Sequence, residues 1–184
     1  AFRENQVASL PDKLKKVKVR KRYFVYHLQQ NAQKQLAFNG VYRLDNKGEV
    51  KLISKALTRP NGLALSPDEQ WLYVANSDPA AAQWWKFAVN GDAEPTLFFD
   101  ATAAAAKVSG LPDGLKVLPS GHLLATGPGG VWVFSADGRH LGTIQTGVAA
   151  ANVALSHDLQ YLYITASNYL LRIRLIQQTA VMKK

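Results

Sequence analysis

Three polar residues recur at the start of similar apolar runs, and their side chains have the chemistry of cation ligands. Asn61, Asp113 and Asn152 open the segments NGLAL, DGLKV and NVAL. All three offer oxygen atoms, which suit a hard cation such as Ca²⁺ or Mg²⁺ better than zinc. Asn and Asp are also common turn formers at the ends of strands. The residue types alone therefore leave a ligand role and a structural role open.

The surroundings of these residues form a repeat. Each apolar run is followed by a polar turn and a second apolar run, and the three copies start 52 and 39 residues apart. A strand–hairpin–strand unit with a period near 40 is typical of a β-propeller, in which each blade is a four-stranded sheet. Inner strands of different blades converge on the axis, so we expect the three polar residues to face one central cavity. The copies read RPNGLALSPDEQWLYVANS, LPDGLKVLPSGHLLATG and AANVALSHDLQYLYITAS.

Composition and charge limit the class of protein and divide the chain. The 184 residues are 47% hydrophobic and 19% charged, with no cysteine and no apolar run long enough to span a bilayer. Residues 1–36 hold nine basic and two acidic residues, whereas the whole chain has a net charge of +9. We therefore expect a basic N-terminal segment over residues 1–36 and a partial propeller over 37–184. The basic stretch is interpreted as a solvated strand or tail, and neither nucleic acid nor a membrane is expected as a partner.

The repeats resemble a known family. NGVYRLDNKGEVKLIS, RPNGLALSPDEQWLYVANSD, LPDGLKVLPSGHLLATGPGGVWVFSADGRHLGTI and ANVALSHDLQYLYITAS are similar to segments of the gluconolactonase, senescence-marker-protein (regucalcin) and luciferin-regenerating-enzyme family. The resemblance covers residues 38–175. It implies a six-bladed propeller that binds one divalent cation on its axis, often Ca²⁺, and hydrolyses lactones in carbohydrate metabolism.

The resemblance also assigns roles to individual residues. Asn61 and Asp113 match the family's metal-binding Asn and Asp, and Asp113 matches its usual candidate base. Asn152 matches a position that lines the substrate. A cation at this place polarises a lactone carbonyl, and a nearby carboxylate activates the attacking water.

Two features depart from the family pattern. The family's first metal ligand is a Glu in an early E-G-P motif, and none of Glu4, Glu49, Glu69 and Glu94 lies in that context. The segment FVYHLQQNA stands where the family has a sequence like T-D-P-P-Y-G. Six blades of 40–45 residues need roughly 250 residues, so this chain supplies about three to four blades and resembles the C-terminal part of the family.

Three functions follow as alternatives. The first is a lactone hydrolase that uses a divalent cation, with Ca²⁺ ranked before other divalent ions, and takes a small-molecule lactone as substrate. The second is a non-catalytic propeller that lacks the metal-ligand Glu. The third is a binding or assembly module in which apolar blade faces of two copies meet and close the ring. A soluble protein of the cytoplasm or the periplasm is compatible with all three.

Overall fold

The structure is built almost entirely of β-strands. The computed structural model describes residues 36–91 and 93–175 together with the backbone of two earlier strands. No helix among the described residues is long and apolar enough to cross a membrane. The elements are β1 Lys15–Val19, β2 Arg22–His27, β3 Gly40–Leu44, β4 Val50–Ser54, β5 Pro60–Leu65, β6 Trp71–Asp78, β7 Ala81–Ala88, β8 Thr96–Asp100, α1 Thr102–Ala105, β9 Leu115–Val117, β10 Leu123–Gly127, β11 Gly130–Phe134, β12 His140–Gln145, β13 Ala150–Leu155, β14 Tyr161–Ala166 and β15 Tyr169–Arg174.

The strands form four antiparallel sheets in which neighbours in the chain are neighbours in the sheet. Strands β1–β4, β5–β8 and β9–β12 make three four-stranded sheets, and β13–β15 make a three-stranded sheet. We refer to these as blades one to four. The first strands of blades two, three and four lie beside one another, since β9 contacts both β5 and β13. This arrangement confirms the all-β, incomplete propeller that the repeats predict.

Blade one includes two strands from the basic N-terminal segment. Strands β1 and β2 pair with each other, and β2 pairs with β3 from Tyr23–Leu44 to His27–Gly40. Both strands lie within residues 1–36, the basic segment that the sequence separates from the propeller. The sheet of blade one therefore runs across the predicted boundary at residue 36.

Apolar cores between consecutive blades hold the sheets together. The core between blades two and three is aromatic: the Trp84 ring lies 5.6 Å from Trp132 and 5.2 Å from Phe134, centroid to centroid. Such pairs contribute roughly 0.5–1.5 kcal/mol each beyond the area they bury. The flanking cores are aliphatic apart from Phe87. Between blades one and two they include Val41, Leu57, Leu63, Leu72, Val74, Phe87 and Val89, and between blades three and four Leu124, Val131, Ala150, Val153, Leu162, Ile164 and Ala166.

The face of blade four that points away from blade three is mixed in character. Leu170 is 72% exposed there and pairs with Thr165. Arg172 shares this face, and its guanidinium lies 5.1 Å from the Tyr161 ring centroid. The sequence predicts an apolar blade face, and the described residues instead combine apolar, aromatic and basic side chains. Self-association through this face stays a prediction.

A repeated serine–aspartate turn shapes three of the hairpins. In the turn after β13, the Ser156 hydroxyl donates to Asp158 Oδ1 at 2.6 Å and accepts the Tyr161 N–H at 2.9 Å. Ser66 with Asp68 and Ser135 with Asp137 make the same contact after β5 and β11. In each turn, the hydrogen bond from the serine hydroxyl is the main reason why the pKa of the aspartate lies below its ordinary value of 3.8.

These turns make stability depend on pH in the acid range. A carboxylate whose pKa is lower in the folded state stabilises the fold above its unfolded pKa, and the contribution is lost as the pH falls through the folded pKa. We expect the melting temperature to be level between pH 5 and pH 7, roughly one unit or more above the pKa of a free aspartate, and to fall below about pH 4. A variant combining Asp68→Asn, Asp137→Asn and Asp158→Asn should melt lower at pH 7 and decline less steeply in acid. Identical pH profiles for the two proteins, measured by circular dichroism, would contradict this origin of the acid sensitivity.

Candidate functional site

The three polar residues lie where the inner strands of blades two, three and four begin. Asn61 is the second residue of β5, Asp113 precedes β9 by two residues, and Asn152 is the third residue of β13. Asn61 and Asp113 are half-buried, and Asn152 is exposed. Inner strands of three successive blades thus bring the predicted site residues to the same end of the sheets.

The inner strand of blade two bulges at its polar residue. Pro60 pairs with Asn76 and Leu63 pairs with Val74, so Asn61 and the glycine after it lie opposite a single residue of β6. A β-bulge of this kind bends the strand and changes the direction of the side chain it carries. The chain can therefore turn Asn61 away from the pleat of the sheet.

Blade three has the same irregularity, and a threonine ties it to blade four. The Asp113 N–H donates to the Thr126 carbonyl at 3.3 Å, and the Thr126 N–H donates to the Gly114 carbonyl at 2.9 Å. The fully buried Thr126 hydroxyl lies 3.1 Å from the Gly114 carbonyl and 3.4 Å from that of Ala151. Gly114 in turn donates its N–H to the Ala151 carbonyl at 2.9 Å. A direct backbone hydrogen bond thus joins the inner strands of two blades.

The strand register corrects the repeat alignment in blade four by one residue. Ala150 pairs with Ala166 and Asn152 pairs with Thr165, which leaves Ala151 as the extra residue of the bulge. Ala151 is therefore the structural equivalent of the polar residues of the other two blades. Asn152 takes the place of the glycine that follows them, because the sequence AANV has its asparagine one step later than RPNG or LPDG.

Two glycines allow the inner strands to approach closely. A Cβ atom built on Gly62 would lie 1.9 Å from the Asp113 carbonyl oxygen, and one on Gly114 would lie 2.1 Å from Asn152 Oδ1. The Asn152 Oδ1 atom also accepts the N–H of Val153 at 2.8 Å. Gly62, which follows Asn61, therefore touches Asp113, and Gly114, which follows Asp113, touches Asn152. Backbone contact therefore brings the three segments together, while the convergence of their side chains on one cavity stays a prediction.

Lys116 is a residue of this region that the sequence reasoning missed. Its Nζ atom donates to the Leu115 carbonyl at 3.0 Å, and burial lowers the pKa of its amine below the ordinary value of 10.5. Pairing with the second strand of each blade aligns Lys116 with Ala64 and Ala154. The sequence did contain a signal for this residue, because the two other repeats have alanine at the position of Lys116.

Replacement of Gly62 tests the close contact directly. Gly62→Ala places a methyl group against the Asp113 carbonyl, so the two inner strands must separate. We expect a loss of about 1–3 kcal/mol in the free energy of unfolding, in the range of other overpacked sites, measured by urea denaturation. Gly142→Ala is the matched control, because a Cβ on Gly142 meets no atom within 4 Å. Equal stability of the two variants would show that the inner strands do not depend on this contact.

Comparisons with known proteins agree with this architecture. Residues 18–168 match the family model described as SMP-30/Gluconolactonase/LRE-like region. A gluconolactonase from Zymomonas mobilis is 38% identical over 164 residues, which cover 83% of this chain and 45% of that protein. The solved structure of a gluconolactonase from Xanthomonas campestris has a TM-score of 0.73 and 30% identity, over 86% of this chain and 55% of that one.

A more distant structure has the same fold. The calcium-binding protein regucalcin from Agrobacterium tumefaciens superposes with a TM-score of 0.66 at 18% identity, covering 80% of this chain and 50% of its own. This chain thus spans about half the length of the proteins it resembles. With the family model matched over residues 18–168, the chain belongs to the SMP-30/gluconolactonase/LRE-like family.

Proposed function

We propose that this chain carries the hydrolytic site of a gluconolactonase-like enzyme, which opens a sugar-type lactone to its hydroxy acid. The observation that carries the proposal is the 38% identity with a gluconolactonase over 83% of the chain. The region that matches the family model, residues 18–168, includes Asn61, Asp113 and Asn152. Because the chain spans 45% of that relative, the activity of a complete protein is part of the proposal.

The donor set at the inner strands fits a hard divalent cation. Asn61 and Asp113 would hold it, with Ca²⁺ the first candidate, because carboxylate and carboxamide oxygens are its preferred ligands. Among the residues that the structure describes, no three His, Asp or Glu side chains cluster as a metal site, so the site depends on carboxamides. Bound there, the cation would supply polarisation of the lactone carbonyl.

Asp113 has the central role in the proposed chemistry. Its carboxylate accepts a proton from water while the water oxygen bonds to the carbonyl carbon. The ring C–O bond then breaks, and the leaving alkoxide takes the proton that Asp113 accepted and becomes the hydroxyl of the acid. A general base of this kind contributes roughly 10²–10⁴-fold to the rate. Asn152, one residue beyond the bulge of blade four, is proposed to line the substrate.

A non-catalytic propeller is the second candidate, and one observation favours it. The three described glutamates lie outside the inner strands: Glu49 precedes β4, Glu69 lies in the turn between β5 and β6, and Glu94 precedes β8. Glu4 lies outside the described residues. Within the described ranges, Asp113 is therefore the single carboxylate at the starts of the inner strands of blades two to four. A binding or assembly module would retain the fold without needing a further acidic ligand.

Replacement of Asp113 distinguishes these candidates. Asp113→Asn preserves size and removes the negative charge, so we expect kcat/KM for D-glucono-1,5-lactone in the presence of Ca²⁺ to fall by roughly 100-fold or more. Hydrolysis can be followed by acid release in a pH-stat. Asp137→Asn, in an exposed turn of blade three, is the control variant and should retain wild-type turnover. Chelation of Ca²⁺ should abolish the turnover of the wild-type chain. Undiminished activity of Asp113→Asn, or no turnover of any lactone by the wild-type chain, would count against the proposal.

A further inference from the structure

Lys116 lies on the face of blade three that packs against blade four. Lys116 pairs directly with Leu124 of β10, and residues opposite one another in an antiparallel pair share a face of the sheet. Leu124 belongs to the apolar core that includes Val153 of β13. The stem of the lysine therefore starts at the junction between the inner strands of blades three and four.

The Asn152 carboxamide is the neighbour of Lys116 on this face. Residues two apart in a strand point to the same side, so Gly114 and Lys116 share a face. Asn152 Oδ1 covers Gly114, as the 2.1 Å approach to its built Cβ shows. With a rise of about 3.3 Å per residue, the carboxamide and the start of the lysine side chain are separated by roughly 7 Å along β9.

The ammonium group points to the inner edge of the blade. At one end of β9 the Gly114 carbonyl accepts the Thr126 N–H, and at the other the Leu118 N–H donates to the His122 carbonyl. Residues that bond to the neighbouring strand alternate along an antiparallel ladder, so Gly114 and Leu118 bond towards β10 and Leu115 does not. The carbonyl of Leu115 is therefore directed away from β10, towards the axis. Lys116 Nζ lies 3.0 Å from this carbonyl oxygen, which places the positive charge at the inner edge.

Packing does not account for a lysine at this position. Ala64 and Ala154 occupy the equivalent place in blades two and four, and Ala64 is buried in the core between blades two and three. A small residue thus satisfies the blade contact. Lys116 is exposed as a whole residue, but the Nζ atom is part-buried against the Leu115 carbonyl, and this desolvation lowers the pKa of its amine. A partly desolvated cation beside a carboxamide is a combination that binds carboxylates.

We propose that Lys116 is an anion-binding residue at the inner edge of blade three and holds the carboxylate of a small polyhydroxy acid. The inference rests on the proposed function, since opening a neutral lactone creates such a carboxylate. Lys116 donates to the carboxylate oxygens from the wall between blades three and four, and the Asn152 amide group donates from the adjacent position. The site therefore distinguishes the charged product from a neutral polyol of the same length.

Calorimetric titration with sodium D-gluconate tests this role on the whole chain. Loss of a charge-assisted hydrogen bond costs about 1.5–3 kcal/mol, so Lys116→Met should weaken the gluconate Kd by roughly 10- to 100-fold. Lys116→Arg, which restores the charge, should recover most of the affinity. Binding of the neutral polyol sorbitol should be the same in all three proteins. Lys107→Met removes an exposed lysine after α1 and should bind gluconate as the wild type does.

The outcomes separate this inference from the proposed enzyme activity. If the wild-type chain turns over no lactone but binds gluconate, and Lys116→Met loses that binding, then the chain has the anion site without the enzyme activity. Absence of gluconate binding by the wild type, wild-type affinity of Lys116→Met, or an equal loss in Lys107→Met would overturn the inference. Melting curves monitor folding. If Lys116→Met does not fold, failure of folded Lys116→Arg to bind gluconate more tightly than sorbitol overturns it as well.

Discussion

The approach of one inner strand to the next is the contact on which the site depends. Gly62 and Gly114 carry no Cβ, so the Asp113 carbonyl and the Asn152 carboxamide can occupy space that any other side chain would fill. The hydrogen bond from the Gly114 N–H to the Ala151 carbonyl then joins two blades through their backbones. Close backbone approach is a well-understood use of glycine. Here it brings polar residues that are far apart in the chain to adjacent positions.

The rest of each blade supports this contact from outside. Buried aromatic and aliphatic cores between successive sheets fix the spacing of the blades, and interiors packed at such density resist small displacements. Bulges also occur between the third and fourth strands of blades one to three, but those in the inner strands of blades two and four lie at the polar residues or beside them. Stability thus resides between the blades, while the inner ends carry the polar groups available for chemistry.

Much of the fold could be read from the sequence, and the details of the site could not. The repeats around Asn61 and Asp113 predicted four-stranded blades, because alternation and turn residues are local signals. The register of blade four was misplaced by one residue, since it depends on pairing between Ala150 and Ala166. Lys116 was overlooked because a lysine in an apolar run resembles an outward-facing residue. Its position at the inner edge follows from the hydrogen bonding of β9, which composition does not reveal.

The beginnings of the inner strands are proposed to form a cation site, and a titration with Mn²⁺ followed by NMR can locate it. Mn²⁺ accepts oxygen ligands and broadens the amide signals near its binding site. The chain offers internal competitors, since Asp68, Asp137 and Asp158 are carboxylates in exposed turns. We expect the amides of residues 61–62 and 113–114 to broaden at lower Mn²⁺ concentrations than those of the three turns. Broadening that begins in the turns, or that affects both regions together, would contradict a specific site at the axis.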